Sequence, residues 1–222
     1  LLLWNLMGIF AFVMQYSMDL DVLAQTDPLT AQVFATMPGW LWIVYAIAVS
    51  AGTIGAILLL ARKALAASRS ALETPFPGAV LGNPNGKVTL VEFTDFACTY
   101  CRQSVKALEG LIARNPDLRV VVRELPIIAP ESAPAARMAL AAAAQGKYPA
   151  YHQRMFQGPR PSEASIAAAA GAAGLDMAAA RTFAARSDVE DELKRNLDLA
   201  RQLGVNGTPA WVIGERLIHG AV

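Results

Sequence analysis

The sequence predicts an α/β fold with a large helical insertion, preceded by two transmembrane α-helices. Three observations predict this fold class. Two long apolar stretches occupy the first third of the 222 residues. After residue 86, an apolar strand pattern, a helix pattern and a second strand pattern follow one another, which is typical of a β-α-β unit with parallel strands. An alanine-rich helical region, about 132–203, then separates this unit from a final hairpin.

The apolar stretches lie at about 1–18 and 39–61, and we interpret both as membrane spans. About twenty uncharged residues are needed to cross a bilayer, and the second stretch provides them. Trp40 lies at one of its ends as an interfacial anchor, and Arg62 and Lys63 end it on the other side. For the first stretch, a buried helix of a soluble domain stays the alternative.

A linker and a redox domain are expected after the membrane segment 1–63. Residues 64–86 are rich in serine, proline, glycine and asparagine, which is typical of linkers and turns. The domain is expected at 87–222, and it begins with the strand 87–94 and its parallel neighbour 118–125. Between these two strands, apolar residues recur at helical spacing.

The rest of the domain is predicted as helices and one hairpin. Alanine is the best helix former, and the helical region is expected to break at Gly146, Gly158-Pro159, Pro161 and Gly174. Residues 210–213 and 216–218 are predicted as an antiparallel hairpin. Because the chain starts without methionine and stops just after this hairpin, we interpret it as a fragment at both ends, with a C-terminal truncation of the domain.

The only two cysteines form a Cys-X-X-Cys pair, Cys98 and Cys101, at the predicted strand-to-helix junction. A thiol in the first turn of a helix faces unpaired backbone N–H groups and the positive end of the helix dipole, which favours the thiolate. The thiolate is the form that attacks disulfides. The pair therefore predicts thiol–disulfide exchange.

Other uses of these cysteines fit the sequence less well. Two cysteines cannot build a disulfide framework. No metal site is expected, because His152 and His219 are distant from the pair in sequence and are interpreted as surface or packing residues. Haem attachment requires a histidine directly after Cys101, where Arg102 stands.

Glu92 is a carboxylate in an otherwise apolar strand. Burying it disfavours the charged form, so its pKa should rise and it should accept or donate a proton. The alternative is that Glu92 faces solvent on an edge strand. Asp95, among turn residues before the helix, is expected to cap that helix.

The ordered motifs of this chain resemble a known family. Val91-Glu92-Phe93 precedes Cys98-Thr99-Tyr100-Cys101, a helical insertion follows, and Gly204-Val205-Asn206-Gly207-Thr208-Pro209-Ala210 stands before a hairpin. Over about 78–222 this order resembles the DsbA-like thioredoxin-fold oxidoreductases. The resemblance implies a thioredoxin-like fold, with the redox-active disulfide Cys98–Cys101 in place of a cofactor.

The same resemblance implies roles for individual residues. Cys98 would be the exposed, attacking thiol, and Cys101 the buried thiol that resolves the mixed disulfide. Glu92 would lie beneath the disulfide and assist proton transfer at Cys101. The Thr208–Pro209 bond would be cis, pack against the cysteines and leave a backbone free to pair with substrate. Thr99 and Tyr100 complete the expected substrate-binding residues.

The dipeptide Thr99-Tyr100 differs from the Pro-His and Gly-Pro of the best-known members of that family. Because this dipeptide influences thiol reactivity and reduction potential, the direction of the chemistry stays open. The preferred function is a membrane-tethered oxidoreductase. The alternatives are a disulfide reductase or isomerase of the same fold, and a non-catalytic membrane assembly protein with a thioredoxin-like docking module.

The expected partners are cysteine-containing client proteins, a membrane or soluble thiol redox partner and the lipid bilayer. A net charge of +1 gives no reason to expect nucleic-acid binding. The segment Trp4-Asn5-Leu6-Met7-Gly8 and the second span faintly resemble small multi-span bacterial membrane proteins.

Two signals disagree on the side of the membrane. The resemblance favours a bacterial inner membrane with the redox domain in the periplasm, where disulfides persist. The basic residues after the second span favour the cytoplasm by the positive-inside rule. We prefer the periplasmic side.

Overall fold

The computed structural model describes residues 2–221, with the side chains of residues 2, 4 and 61–68 left out of the description. Arg62 and Lys63, which are expected to end the second span, thus lie outside the described side chains. The chain divides into two compact units, Leu1–Arg69 and Ser70–Val222.

The described elements follow one another along the chain as helices first, then a β-α-β unit, further helices and a hairpin. The helices are α1 (Leu2–Tyr16), α2 (Leu20–Thr26), α3 (Pro28–Thr36), α4 (Gly39–Glu73), α5 (Thr99–Arg114), α6 (Ser132–Ala144), α7 (Tyr148–Gln157), α8 (Glu163–Ala172), α9 (Met177–Ala184) and α10 (Ser187–Leu203). The strands are β1 (Val80–Gly82), β2 (Val88–Thr94), β3 (Leu118–Glu124), β4 (Ala210–Ile213) and β5 (Arg216–His219).

In the first unit, α1 and α4 approach closely at a glycine. Asn5 Nδ2 donates a hydrogen bond to the Gly52 carbonyl at 3.1 Å. A Cβ atom at Gly52 would lie 3.3 Å from Asn5 Oδ1, so a larger residue would require the Asn5 side chain to shift by a few tenths of an ångström. Further along, the rings of α1 and α4 and one ring of α3 pack edge-on or stacked. They are Phe12, Tyr16, Phe34, Trp42 and Tyr45.

One helical segment in the described residues is long and apolar enough to span a membrane. This segment is Gly39–Leu60, with a mean hydropathy of 2.3. The first predicted span is less clear, because α1 has only 15 residues and reaches the required length only together with α2, across a bend of 94°. Asp19 explains the bend, since its side chain accepts the Asp21 and Val22 N–H groups and begins a new helix. The expectation of two membrane spans is thus supported for the second, 39–61, and not clearly for the first, 1–18.

The second unit is built on a five-stranded mixed sheet of order β1-β3-β2-β4-β5. Strands β2 and β3 are parallel and joined through α5, which confirms the predicted β-α-β unit. Strands β4 and β5 form the predicted antiparallel hairpin, and β4 pairs antiparallel with β2. The resulting sheet places β2, and with it the start of α5, at its centre.

The segment 64–86, which is predicted as a linker, contains regular secondary structure. Helix α4 continues to Glu73, and β1 pairs antiparallel with β3 at the edge of the sheet. Arg119 and Arg123 of β3 donate hydrogen bonds to carbonyls at the end of α4, which is why the helix end is fixed there. Residues 70–86 of this segment are therefore part of the second unit.

The helical insertion extends from Ser132 to Leu203, as predicted. Its breaks coincide with Gly146, Gly158 and Gly174. A further break at Ala185–Arg186 separates α9 from α10, and no glycine or proline marks it.

Alternating residues of β2 and β3 divide the core between the two faces of the sheet. Leu90, Val120 and Val122 belong to the cluster that includes Cys98, Cys101 and the alanine-rich helices. Val91 and Val121 belong to a second cluster with Leu72, Ala200 and Val205. Residues 92, 94 and 124 therefore lie on the face that holds the cysteines.

Candidate active site

Cys98 is the N-cap residue of α5. Its backbone is extended, with φ −78° and ψ 121°, and its Sγ accepts the Cys101 N–H at 3.3 Å. A sulfur thus takes the position that Ser, Thr or Asp usually occupies at a helix start. The unpaired N–H groups of the first helical turn face this sulfur, which is the placement the sequence predicts for a reactive thiol.

The loop before β4 covers the Cys98 sulfur. The Thr208–Pro209 peptide bond is cis, as the resemblance implies. The Cys98 thiol donates a hydrogen bond to the Thr208 carbonyl at 3.1 Å. Because of this contact Cys98 is only 5% exposed, so the expectation of an exposed thiol is wrong for this conformation. Both cysteines are free thiols here.

Cys101 lies one turn inside the helix and is fully buried. Burial raises the pKa of its thiol, and the Asp95 backbone opposes this by a smaller amount. Burial therefore disfavours the Cys101 thiolate. When this sulfur leaves a disulfide, protonation to the neutral thiol stabilises it.

Thr99 and Tyr100 form the exposed side of the Cys-X-X-Cys turn. Tyr100 is 62% exposed, although it is a large aromatic residue next to two buried cysteines. Together with the covering loop at Thr208 and Pro209, these residues border the surface nearest Cys98. Of the predicted substrate-binding residues, Thr208 contacts the Cys98 sulfur through its carbonyl.

Glu92 lies in the middle of the sheet and is 2% exposed, so the edge-strand alternative is wrong. Its neighbours across the sheet are Val122 and Trp211, which provide no charge. Burial raises the pKa of Glu92 to about 8. Glu92 Oε2 has no hydrogen-bond partner. At neutral pH the carboxyl therefore holds a proton.

Asp95 does not cap α5, because Cys98 occupies that position. Its Oδ1 accepts the Ala97 N–H at 2.8 Å and the Ser132 hydroxyl at 2.6 Å. Its Oδ2 accepts the N–H groups of Ile127 and Ile128 at 2.8 and 2.9 Å. One buried carboxylate thus ties the turn before the cysteines to the loop after β3 and to the start of α6.

A second buried acid, Glu124, was not predicted as a site residue. It is fully buried at the end of β3, and Tyr148 donates a hydrogen bond to its Oε1 at 2.7 Å. Burial raises the pKa of Glu124 well above its ordinary value, and the Asp95 and Glu92 charges add to this. The reasoning used for Glu92 does not extend to Glu124, because β3 also carries Arg119 and Arg123 and the partner Tyr148 is distant in sequence.

The two histidines lie in different surroundings. His152 is buried among Phe96, Tyr148 and Phe156, and burial lowers its pKa to about 4. His219 is exposed at the end of β5. Among residues 2–221, no three acidic, histidine or cysteine side chains group closely enough to hold a metal ion.

Two arginines connect the turn to the helical insertion. Arg102 donates to the carbonyls of Phe156 and, at 2.7 Å, Gly158, which closes the end of α7. Arg160 donates to the Ala97 carbonyl at 3.2 Å. Sequence reasoning missed both because the paired residues lie 54 to 63 positions apart.

Comparison with known proteins identifies the family. The DSBA-like thioredoxin domain matches residues 89–222. The chain belongs to the DSBA-like thioredoxin domain family. This membership confirms the thioredoxin-like fold and the resemblance seen in the motifs, and it makes the domain a member of a thiol–disulfide oxidoreductase family.

Solved structures similar to the DSBA-like domain are oxidoreductases or thioredoxin-like proteins of bacteria. A thioredoxin-like oxidoreductase from Silicibacter pomeroyi is 38% identical, with a TM-score of 0.66, over 69% of this chain and 90% of that one. The catalytic domain of Proteus mirabilis ScsC is 33% identical, with a TM-score of 0.64, over 72% and 90%. A periplasmic thioredoxin-like protein from Salmonella enterica serovar Typhimurium is 33% identical, with a TM-score of 0.62, over 70% and 88%.

Curated relatives that match the chain are antiporters. Na(+)/H(+) antiporter NhaA 3 of Salinispora tropica is 30% identical over 170 residues, which cover 72% of this chain and 26% of that protein. Na(+)/H(+) antiporter NhaA of Herminiimonas arsenicoxydans is 31% identical over 212 residues, which cover 91% and 32%. The chain thus spans about a quarter to a third of the length of the curated relatives it matches.

Proposed function

We propose that this protein is a membrane-tethered thiol–disulfide oxidoreductase that exchanges disulfides with cysteine-containing proteins through Cys98 and Cys101. One observation carries the proposal. The Cys98 sulfur lies at the start of α5, accepts the Cys101 N–H and contacts the Thr208 carbonyl of the cis-proline loop. A sulfur in this position is activated by backbone dipoles and sits beside its resolving partner.

The exchange begins with the oxidised pair. A client thiolate attacks Cys98 Sγ, the Cys98–Cys101 bond breaks, and Cys101 leaves as a thiolate. A second client thiolate then attacks the client sulfur of the mixed disulfide and releases Cys98. The client gains a disulfide, and the pair gains two electrons and two protons. A disulfide or other thiol redox partner restores the oxidised pair.

Glu92 supplies the proton that Cys101 needs. Burial makes a Cys101 thiolate unfavourable, and Glu92 holds a proton at neutral pH on the same face of the sheet. Proton transfer from the Glu92 carboxyl to the Cys101 sulfur moves the buried negative charge from the sulfur to the carboxylate. The transfer is favourable because the pKa of Glu92 lies below that of Cys101. In the reverse reaction Glu92 accepts the proton again.

The client binds along the loop that covers Cys98. Thr208 and Pro209 present a backbone next to the sulfur, to which an extended client segment can pair as an added strand. Thr99 and the exposed Tyr100 contact the client on the other side. The Thr208 carbonyl accepts a hydrogen bond from the Cys98 thiol. A client that pairs with this backbone therefore binds directly beside the sulfur that it attacks.

Trapping of the mixed disulfide tests this function. Cys101→Ser leaves Cys98 able to attack but removes the resolving thiol, so it is expected to capture client proteins in adducts that a reductant releases. Cys98→Ser is the matched control and should capture none. If Cys101→Ser captures no client above this control, the catalytic proposal fails, and the docking-module alternative takes its place.

The reduction potential decides the direction. We propose that the pair oxidises its clients. A potential near or below about −270 mV, the range of thioredoxin, would assign the reductase or isomerase alternative. Equilibration with a glutathione redox buffer, followed by alkylation of the free thiols, gives this value.

We further propose that α4 anchors the protein in a bacterial inner membrane, with the redox domain in the periplasm. The apolar segment Gly39–Leu60 supports the anchor. The match to an Na(+)/H(+) antiporter, which covers 91% of this chain, supports it as well, because antiporters are membrane proteins. The similar Salmonella protein is described as periplasmic, which supports the compartment. The basic residues at 62 and 63 favour the opposite side. A fusion reporter after residue 221, active in only one compartment, decides between them.

A further inference from the structure

Two guanidinium groups lie beside the turn that carries Cys98, and no carboxylate pairs with either of them. Arg160 Nη2 donates to the Ala97 carbonyl at 3.2 Å, and Arg102 Nη1 donates to the Gly158 carbonyl at 2.7 Å. Within the part of the chain that the structure describes, both groups donate to backbone carbonyls and neither forms an ion pair. A carbonyl carries no net charge, so the turn keeps a positive charge that its hydrogen bonds do not neutralise.

The two arginines link the same two segments in opposite directions. Arg102, near the start of α5, donates to the carbonyls at the end of α7 and in the loop after it. Arg160 directly follows those carbonyls and donates back to the carbonyl that precedes Cys98. Because each segment holds the other, the Arg160 guanidinium has a fixed place at the turn, although Arg160 is an exposed residue.

The contact of Arg160 lies close to the reactive sulfur. The Ala97 carbonyl that accepts the hydrogen bond belongs to the same peptide group as the Cys98 nitrogen. The guanidinium is therefore within about one Debye length of Cys98 Sγ, which is roughly 8 Å at physiological salt. Salt does not fully screen a charge at this range, so Arg160 acts on a charged molecule that reaches the sulfur.

The described acids near the turn do not compete for this charge. Helix α5 has no acidic residue in its first turn. Asp95, just before the cysteines, is 1% exposed, and its two oxygens accept four hydrogen bonds from backbone and hydroxyl donors. The exposed residues between the cysteines, Thr99 and Tyr100, carry no carboxylate. An acid from another molecule thus finds Arg160 without a charged partner.

We propose that Arg160 binds a carboxylate beside the reactive cysteine of the client, so that client segments with an acidic residue next to their cysteine exchange faster. The proposal rests on the proposed function, since it requires a client thiolate to attack Cys98. Arg160 would determine specificity through a charge-assisted hydrogen bond to the client, and Arg102 would be a positioning residue that holds the segment of Arg160 in place.

The chemical step itself stays that of the proposed exchange. A client thiolate attacks Cys98 Sγ, the Cys98–Cys101 bond breaks, and Cys101 takes both electrons of that bond and then a proton. A second client thiolate attacks the client sulfur of the mixed disulfide and releases Cys98. Arg160 forms and breaks no covalent bond, so it changes how often a client reaches the sulfur and how long it stays there.

A pair of single-cysteine peptides tests this specificity. The peptides are identical except for Glu or Gln directly before the cysteine, and each is mixed in excess with the oxidised full chain at pH 7. Alkylation of the free thiols of the protein follows the loss of its disulfide. Each rate is divided by the thiolate concentration of the peptide, because a neighbouring carboxylate changes the ionisation of the peptide thiol. At low salt the wild type should react about threefold faster with the Glu peptide, as expected for an exposed ion pair. In about 1 M salt the two rates should become equal.

Variants assign the preference to Arg160. Arg160→Gln should react equally with both peptides, and Arg160→Lys, which keeps a charge without the planar fork, should retain part of the preference. Arg154→Gln is the matched control. Arg154 is an exposed arginine of α7, six positions earlier, and makes no described contact with the cysteine turn. This control should keep the wild-type ratio of the two rates.

The outcomes separate this inference from the proposed function. Equal wild-type rates with the two peptides at low salt overturn the role of Arg160 and leave the exchange reaction intact. A uniform loss in Arg160→Gln, with the wild-type ratio preserved, also overturns it, because Arg160 would then only hold the turn. If wild type exchanges with neither peptide, the proposed function has failed instead. Should Arg160→Gln not fold, Arg160→Lys and the salt dependence of the wild-type ratio decide.

Discussion

Arg123 and Glu124 are neighbours on β3, yet their side chains face opposite sides of the sheet and differ in how fully they are hydrogen-bonded. The Arg123 guanidinium donates to Glu192 Oε1 at 2.8 Å, to Asn196 Oδ1 at 3.2 Å and to carbonyls at the end of α4. Glu124 has one partner, Tyr148, and one oxygen without any. A buried charge with every donor satisfied is a structural element. A buried acid left partly unpaired is poised to exchange a proton.

The two faces of the sheet therefore differ in how completely their buried polar groups are hydrogen-bonded. On the Arg123 side, the fold joins α4, β3 and α10 through one guanidinium. On the cysteine side, Glu92, Thr94 and Glu124 each retain an unpaired oxygen. Substitutions on the first face should alter stability at every pH, whereas those on the second should alter how stability and rate depend on pH.

The largest expected effect is that of Arg123→Met. It leaves Glu192 Oε1 and the carbonyls at the end of α4 without their donor, which should reduce the free energy of unfolding by about 4 kcal/mol. Arg195→Met is the matched control, because Arg195 pairs with the same carboxylate but is 60% exposed. Its loss should stay below about 1 kcal/mol. Urea unfolding at pH 7 gives both values, and equal losses would contradict the structural role of Arg123.

Glu92→Gln should change the pH dependence of stability. Since folding raises the pKa of Glu92 from 4.5 to about 8, its favourable contribution is complete below pH 4.5 and is lost as the pH rises toward 8. Between pH 5.5 and pH 8 the wild type should lose about 3 kcal/mol that the variant keeps. Glu215→Gln, an exposed acid of the β4–β5 turn, is the control and should show no such difference. Parallel curves for wild type and Glu92→Gln would mean that Glu92 is not the group that titrates.

His152→Phe should change stability in the opposite direction. Burial lowers the pKa of His152 from 6.5 to about 4, so its contribution is complete above pH 6.5 and is lost as the pH falls toward 4. From pH 7 to pH 5 the wild type should lose about 2 kcal/mol through this group, and the variant should not. His219→Phe, at an exposed position, serves as the control. Thermal unfolding at both pH values measures the change.

Local sequence pattern was sufficient for much of the site. Spacing and strand composition predicted the position of Cys98 before a helix, the burial of Glu92 and the hairpin after Pro209. These features depend on residues within a few positions of one another. The cis bond at Pro209 came from the family resemblance, since an X-Pro sequence alone favours trans.

Features that depend on residues distant in the chain could not be predicted from local sequence patterns. Strand β1 has three residues and exists only because β3 lies beside it. The burial of Cys98 depends on Thr208, 110 positions away, and the extension of α4 depends on Arg123. Sequence reasoning also missed Glu124, whose burial depends on α7 packing over it.

The smallest expected effect comes from two threonines of β2 and bears most directly on the comparison. Thr89 Oγ1 accepts Arg119 Nη2 at 2.9 Å, whereas the Thr94 hydroxyl has no partner. Thr89→Val should therefore destabilise the fold by about 1 kcal/mol, and Thr94→Val should leave its stability nearly unchanged or raise it. If Thr94→Val destabilises the fold as much as Thr89→Val, its hydroxyl is paired in solution, and the contrast between a satisfied face and an unsatisfied one disappears at this position.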